Sequence, residues 1–442
     1  MSCEIDSTTV ADRDEQYCSI LNRELVCALG CTEPIAVAYA AAIARETLGS
    51  EPEHLELECS GNIIKNVKSV TVPNSGGMHG LEAAATLGAV GGNPENALEV
   101  LESVDDAARA RTAELLADPA FADVSLAENV PNLYIRVKAQ ADDHTAEIII
   151  SDHHTNVVWR ALDDQKLSGS WHAPECAAAV ADTARTQGSS LSLEGIIDFA
   201  EHGEITGARA ALMRQVELND AISREGLEHA WGAEVGRTLL ASRPDDVADR
   251  ARARAAAGSD ARMSGCAMPV VIVCGSGNQG ITTCLPVLEY AEKLGVTGDR
   301  LLRALALSDL VAIHVKSYIG ELSAFCGAVC AACGAGASIT WMSGGTREQI
   351  GATVVNTLGN VGGIVCDGAK SSCAAKISAS VDAAILGHSM AMAGKSFHAG
   401  EGIVQETIEE TIASMGYVGR VGMKPTDVEI LNIMIGKTQV DC

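Results

Sequence analysis

The chain has 442 residues, enough for two or three domains at roughly 150 residues each. Hydrophobic residues make up 47% and charged residues 20%, which excludes a disordered chain, and no apolar run reaches the roughly 20 residues of a membrane span. With 32 basic against 58 acidic residues the net charge is −26, which excludes nucleic-acid phosphate and anionic membranes as partners.

Residues 14–48 read as helix broken at Leu29–Pro34, where Gly30 and Pro34 interrupt the pattern and set Cys31 on a turn. From His54 to Val72 the alternation is strand-like, and residues 80–118 read as helical. A second β region follows in Leu133–Gln140, Thr145–Ser151 and Asn156–Leu162. Polar turns at Asp142-Asp143 and Asp152-His153-His154 separate these segments and predict a small antiparallel sheet. From about Leu191 onward, Ala-rich amphipathic patterns dominate. The expected fold class is therefore α+β: a helical segment over 1–50 that packs on the C-terminal helices, an α/β module with an antiparallel sheet over 51–180, and a predominantly helical domain over 181–442. The boundary is expected near Ser168–Ser189, rich in Ser, Gly, Ala and Thr. Aromatics are only 3% while Gly is 43 of 442, so the helices are expected to pack closely through small side chains.

The acidic opening MSCEIDSTTVADRDEQ lacks the basic start and apolar core of a signal peptide, so a cytoplasmic location with reduced cysteines is expected. Fifteen cysteines, an odd number, suit buried thiols and metal ligation better than a disulfide framework. In CGSGNQG, Gly275, Gly277 and Gly280 form G-x-G-x-x-G after an apolar run and before a helix-like stretch. A dinucleotide site would need a second strand about 20 residues on, where GDRLLRALALSDL reads as another helix. The reading preferred to that, and to a purely structural turn, is a small-anion cradle at a helix N-terminus, with Ser276, Gly277, Asn278 and Gln279 as candidates.

Cys326, Cys330 and Cys333 have the C-x3-C-x2-C spacing of radical S-adenosylmethionine enzymes, but they lie in a small-residue stretch that reads as buried helix. Cys330 and Cys333 are read as packed thiols, and Cys326 stays open. Cys366 and Cys373 sit among glycines and beside Lys370 and Lys376, surroundings suited to a negatively charged iron–sulfur cluster. Zinc competes, but its paired C-x2-C knuckles are absent. Ser60, Gly61, Asn62, Lys65 and Asn66, with Asn74, join polar and glycine groups at expected strand ends. They read either as turns or, together, as a site for an amino acid's carboxylate and ammonium. His153-His154 reads as a solvated hairpin rather than a metal site. His314 and Lys316 are placed near Cys326 if the intervening segment is helical.

Taken together, LGCTEP, SGNIIKNV, VPNSGG, GSGNQG, KSYIGELSAFCGA and NTLGNVGGIVCDGAKSSCAAKI, in order from Leu29 to Ile377, resemble the L-cysteine desulfidase family, related to the catalytic subunit of iron–sulfur L-serine dehydratases. The resemblance implies a lyase that works without pyridoxal phosphate and converts L-cysteine to pyruvate, ammonia and hydrogen sulfide. It implies a [4Fe–4S] cluster held by Cys326, Cys366 and Cys373, with Cys31 as the catalytic thiolate of depressed pKa. The expected partner is a small-molecule substrate, and homo-oligomerisation is left open. The alternatives weighed are an iron–sulfur L-serine (or other β-substituted amino acid) dehydratase, a radical S-adenosylmethionine enzyme and an iron–sulfur sensor.

Overall fold

The computed structural model describes residues 7–170, 191–320 and 322–438. Of the expected boundary at Ser168–Ser189, residues 171–189 lie outside this range. The fold is α+β, with most described residues in helices.

The predicted break near Cys31 contains a short strand. Helix α1 (Ser7–Glu24) gives way to β1 (Cys27–Leu29), and α2 (Thr32–Leu48) starts directly after Cys31. Pro34 belongs to the first turn of α2 rather than to the break, at a position where its missing N–H has no helical acceptor. The strand-like stretch from His54 to Val72 also divides. Strand β2 (His54–Cys59) buries Leu55, Leu57 and Cys59 on one face, and α3 (Gly61–Val67) follows at once. Helix α4 (Gly80–Gly91) and α5 (Asp106–Leu115) then lead to β3 (Ala122–Leu126).

The three β segments of the second region are β4 (Tyr134–Ala141), β5 (His144–Ser151) and β6 (Val157–Leu162), an antiparallel meander extended by β7 (Gln165–Gly169). The sheet is mixed rather than antiparallel throughout. Its order is β3-β2-β4-β5-β6-β7, and β2 and β3 run parallel because the helices between them return the chain to the same edge. Helix α2 packs across β4, β5 and β6 and against α4.

The C-terminal region comprises α6 (Leu193–His202), α7 (Arg209–Glu228), α8 (Val235–Ser242), α9 (Val247–Met263), β8 (Pro269–Val271), α10 (Gly277–Leu294), α11 (Gly298–Ser317), α12 (Gly327–Met342), α13 (Arg347–Val361), α14 (Cys373–Met392), α15 (Ile408–Tyr417) and α16 (Lys424–Met434). Helix α12 packs against α10, α11, α13 and α14. Its run of Gly, Ala, Cys and Ser is buried, with Cys330 and Cys333 at 0% exposure, so both thiols fill helix contacts. Residues Gly298–Ser317, where a dinucleotide site would need its second strand, form helix α11, as the sequence reading against such a site expected. Strand β1 pairs antiparallel with β8 and ties the Cys31 segment to the glycine motif.

Close backbone approach fixes this junction. A Cβ at Gly280 would stand 2.0 Å from the Val271 carbonyl oxygen. Gly280→Ala is therefore expected to destabilise the protein by about 1–3 kcal/mol. A lowered urea midpoint would record this, whereas an unchanged midpoint would contradict the described contact between α10 and β8.

Candidate active site

Four long helices, α2, α10, α12 and α14, direct their N-termini to one region. Cys31 is the N-cap of α2, Ser276 of α10 and Cys326 of α12, while Cys373 is the first residue of α14. None of these termini has a side-chain cap, so N–H groups and the positive end of each helix dipole remain available to thiolates or a bound anion.

Cys31 is buried and packs with Val70 and Met263 in a small cluster that Ala369 and Cys373 adjoin. Its thiol donates to Glu33 Oε2 at 3.1 Å, and the Asn66 amide donates to Glu33 Oε1 at 2.9 Å. The Thr32 hydroxyl donates to the Gly275 carbonyl at 2.8 Å, linking this turn to the glycine motif. The expectation of a depressed Cys31 pKa is not met. Burial pushes the thiol well above its ordinary value and the Glu33 carboxylate adds to that, while Arg262 opposes them. Burial would also raise Glu33, but His154, the Cys31 thiol and Arg262 outweigh it and hold that carboxyl below its usual range. The pair therefore rests as thiol and carboxylate.

Cys326 and Cys366 are brought together by a bridge between Phe325 and Val365. The Cys326 N–H donates to Ile364 O at 2.9 Å and the Cys366 N–H to Ala324 O at 2.6 Å. Burial raises the Cys326 thiol, and charge at Cys366 and at Cys373 raises it further, so the three lie within one another's field. Burial likewise raises Cys373. Lys376 donates to Val365 O at 2.7 Å, pairs with Asp367 and acts on both Cys326 and Cys366.

Among the described residues no three His, Cys, Asp or Glu side chains are gathered as around a single ion. Cluster thiolates bind separate irons and stand further apart than ligands of one ion. These soft donors, Cys326 and Cys373 at helix N-termini and Cys366 on the loop before α14, all beside a lysine, form a set that could hold an iron–sulfur cluster.

The remaining sequence candidates divide. Asn66 joins the Cys31–Glu33 pair. Lys65 is buried in an ion pair with Asp427 of α16, and its carbonyl lies against the cysteine loop, where a Cβ at Gly368 would meet it at 2.3 Å. Ser60 caps α3 but directs its hydroxyl to Asn132 O at 2.6 Å. Gly61 packs on Leu431, and Asn62 leaves its buried Oδ1 without a partner. These residues form a helix, which corrects their reading as strand-end turns. Asn74 is not brought to the group. Its amide donates to Leu101 O and Val104 O at 2.9 and 3.1 Å, and Arg109 donates to its Oδ1 at 2.9 Å, so it fastens a loop. Asn278 accepts from Arg262 at 3.1 Å. Gln279 lies against Gly327 at the start of α12, its Oε1 without a partner.

Asp427→Asn is expected to destabilise the protein by about 3–5 kcal/mol, because it leaves the Lys65 ammonium buried without its counter-charge. Equilibrium unfolding in urea measures this, and an unchanged midpoint would contradict it.

Sequence reasoning missed Glu33 and Arg262. Glu33 stands in the LGCTEP motif two residues from Cys31, a signal that could have found it. Arg262 sits in an Arg/Ala-rich helix, where it looks like a solvated charge. His154 departs from the solvated-hairpin reading: it is half-buried, acts on Glu33 and would meet a Cβ at Gly275 at 3.0 Å.

The family described as "Serine dehydratase alpha chain" matches residues 95–432. The chain is 47% identical over 423 residues to a UPF0597 protein of Desulfitobacterium hafniense, covering 96% of this chain and 97% of that relative. A UPF0597 protein of Lachnoclostridium phytofermentans is 47% identical, covering 94% and 98%, and one of Finegoldia magna is 44% identical, covering 96% and 100%. The chain belongs to the serine dehydratase alpha-chain family. It is an iron–sulfur serine dehydratase-like protein, and no helix among its described residues is long and apolar enough to cross a membrane.

Proposed function

We propose that this chain is a lyase that removes the β-substituent of a small α-amino acid without pyridoxal phosphate, and that L-cysteine is its preferred substrate. The observation that carries the reading is the convergence of the Cys31–Glu33 pair with Cys326, Cys366 and Cys373.

In this reading Cys326, Cys366 and Cys373 hold a [4Fe–4S] cluster. When bound, it supplies an iron with an open position, a Lewis acid whose softness favours a sulfur leaving group over a hydroxyl. The chain's own residues deal with the Cα proton. As that proton moves to Cys31 Sγ, the thiol proton moves to Glu33 Oε2 across the 3.1 Å hydrogen bond, so no free thiolate has to form in the buried site. The electron pair left at Cα forms the Cα–Cβ double bond as the β-substituent departs. Asn66 keeps the carboxylate oriented, and the uncapped N-terminus of α10 faces developing negative charge on the substrate. The released aminoacrylate tautomerises and hydrolyses to pyruvate and ammonia in water.

The family description favours L-serine as the competing substrate. Anaerobically reconstituted protein, assayed for pyruvate with L-cysteine and L-serine side by side and for sulfide with L-cysteine, separates the two. A higher kcat/KM for L-cysteine, with sulfide and pyruvate in equal amounts, is expected. Preference for L-serine would assign the chain to the dehydratases, and turnover of neither would overturn the proposed reaction.

A further inference from the structure

Resting on that reading, we infer that Arg262 receives the substrate's α-carboxylate and thereby restricts the site to amino acids with a free carboxylate. Three lysine or arginine side chains are buried among the described residues: Lys65, Arg262 and Lys316. Lys65 has its carboxylate in Asp427. Arg262, 2% exposed, forms no ion pair among the described residues; its side-chain partner is the neutral amide of Asn278, and its Nε has no hydrogen-bond partner. The Glu33 carboxylate lies within its field but makes no ion pair with it, so the buried guanidinium keeps an open Nε to which a ligand's anion can bind directly.

Its surroundings identify the ligand. A Cβ at Gly277 would lie 2.2 Å from Arg262 Nε, so the guanidinium rests on the first residue of α10, whose N-terminus lacks a side-chain cap. Arg262 also acts on both Cys31 and Glu33, which places it beside the groups assigned to the Cα proton. In an α-amino acid the carboxylate is bonded to that same Cα, so its cation must lie beside Cys31. A guanidinium fork matches a carboxylate in charge and in geometry. Lys316 is also without an ion pair among the described residues, but it acts on Cys274 and Cys330, not on Cys31.

The test compares wild type, Arg262→Gln and Arg262→Lys after anaerobic reconstitution, with iron content measured for each. KM and kcat are determined for L-cysteine and L-cysteinamide, and L-alanine, which has no leaving group, is titrated calorimetrically. Arg262→Gln is expected to raise KM for L-cysteine by roughly 10- to 100-fold, to remove discrimination against the amide and to lose L-alanine binding, with partial recovery in Arg262→Lys. An unchanged KM in Arg262→Gln, or equal losses on acid and amide, overturns the assignment. If Arg262→Gln fails to fold, Arg262→Lys decides: impaired use of L-cysteine with unchanged use of the amide supports the role, and equal effects overturn it. If wild type turns over neither L-cysteine nor L-serine, the reaction proposed above fails, and L-alanine binding alone judges Arg262. Binding lost in the variants sustains the assignment; binding retained in them, or absent from wild type, overturns it.

Discussion

Replacing Cys31 with alanine is expected to lower kcat by about 10²–10⁴-fold while leaving iron content at the wild-type level. The two readouts separate because Cys31 packs beside Cys373 without belonging to the Cys326–Cys366–Cys373 set. Glu33→Gln should behave similarly. It keeps the shape of the side chain and the contact with Asn66, but removes the acceptor for the thiol proton. A fall in kcat with little change in KM points to proton transfer in the transition state rather than to substrate binding. Full activity in Cys31→Ala would contradict the assignment of the proton to this thiol. Full activity in Glu33→Gln would leave Cys31 acting alone, against the burial that holds its pKa high.

The second large effect concerns the three cysteines. Cys366→Ala and Cys373→Ala are each expected to lose the cluster and turnover together. The loss should exceed the roughly 10- to 100-fold that follows removal of an outer partner of a metal site. Cys330→Ala is the internal control. That thiol is fully buried in α12, so its loss creates a small packing defect and leaves iron content intact. A cluster on Cys326, Cys330 and Cys333 would give the opposite pattern, with iron lost in Cys330→Ala and retained in Cys366→Ala. Iron and acid-labile sulfide analysis of the reconstituted variants distinguishes the two without an activity assay.

Much of the fold was legible in the sequence because its periodicities are strong. Two-residue alternation marked β4, β5 and β6, and the Ala-rich amphipathic pattern marked the C-terminal helices. The stretch from Ser60 to Val67 was misread as strand ends, although Ile63, Ile64 and Val67 already trace one helical face. The parallel pairing of β2 with β3 was not readable, because it depends on the path of the helices between them. At the site, Cys366 and Cys373 stood out through their glycine- and lysine-rich surroundings, while Cys326 and Cys31 were assigned only through the family resemblance. Arg262 did not, because sequence cannot tell an arginine on a solvated helix face from one buried against another helix's N-terminus. Asn74 failed for the converse reason: a polar residue in a Gly-rich turn looks like a ligand until its backbone partners are seen. The family match begins at residue 95, after Cys31, Glu33 and Asn66, so the residues proposed to move the Cα proton lie outside it while the three cysteines proposed to hold the cluster lie within.

The central claim, elimination dependent on a cluster at Cys326, Cys366 and Cys373, is tested most directly by measuring pyruvate release from L-cysteine against iron bound, anaerobically and without pyridoxal phosphate. Activity is predicted to rise in proportion to iron, to level off near four irons per chain, and to vanish when a chelator strips the metal. Undiminished turnover by iron-free protein would contradict the account.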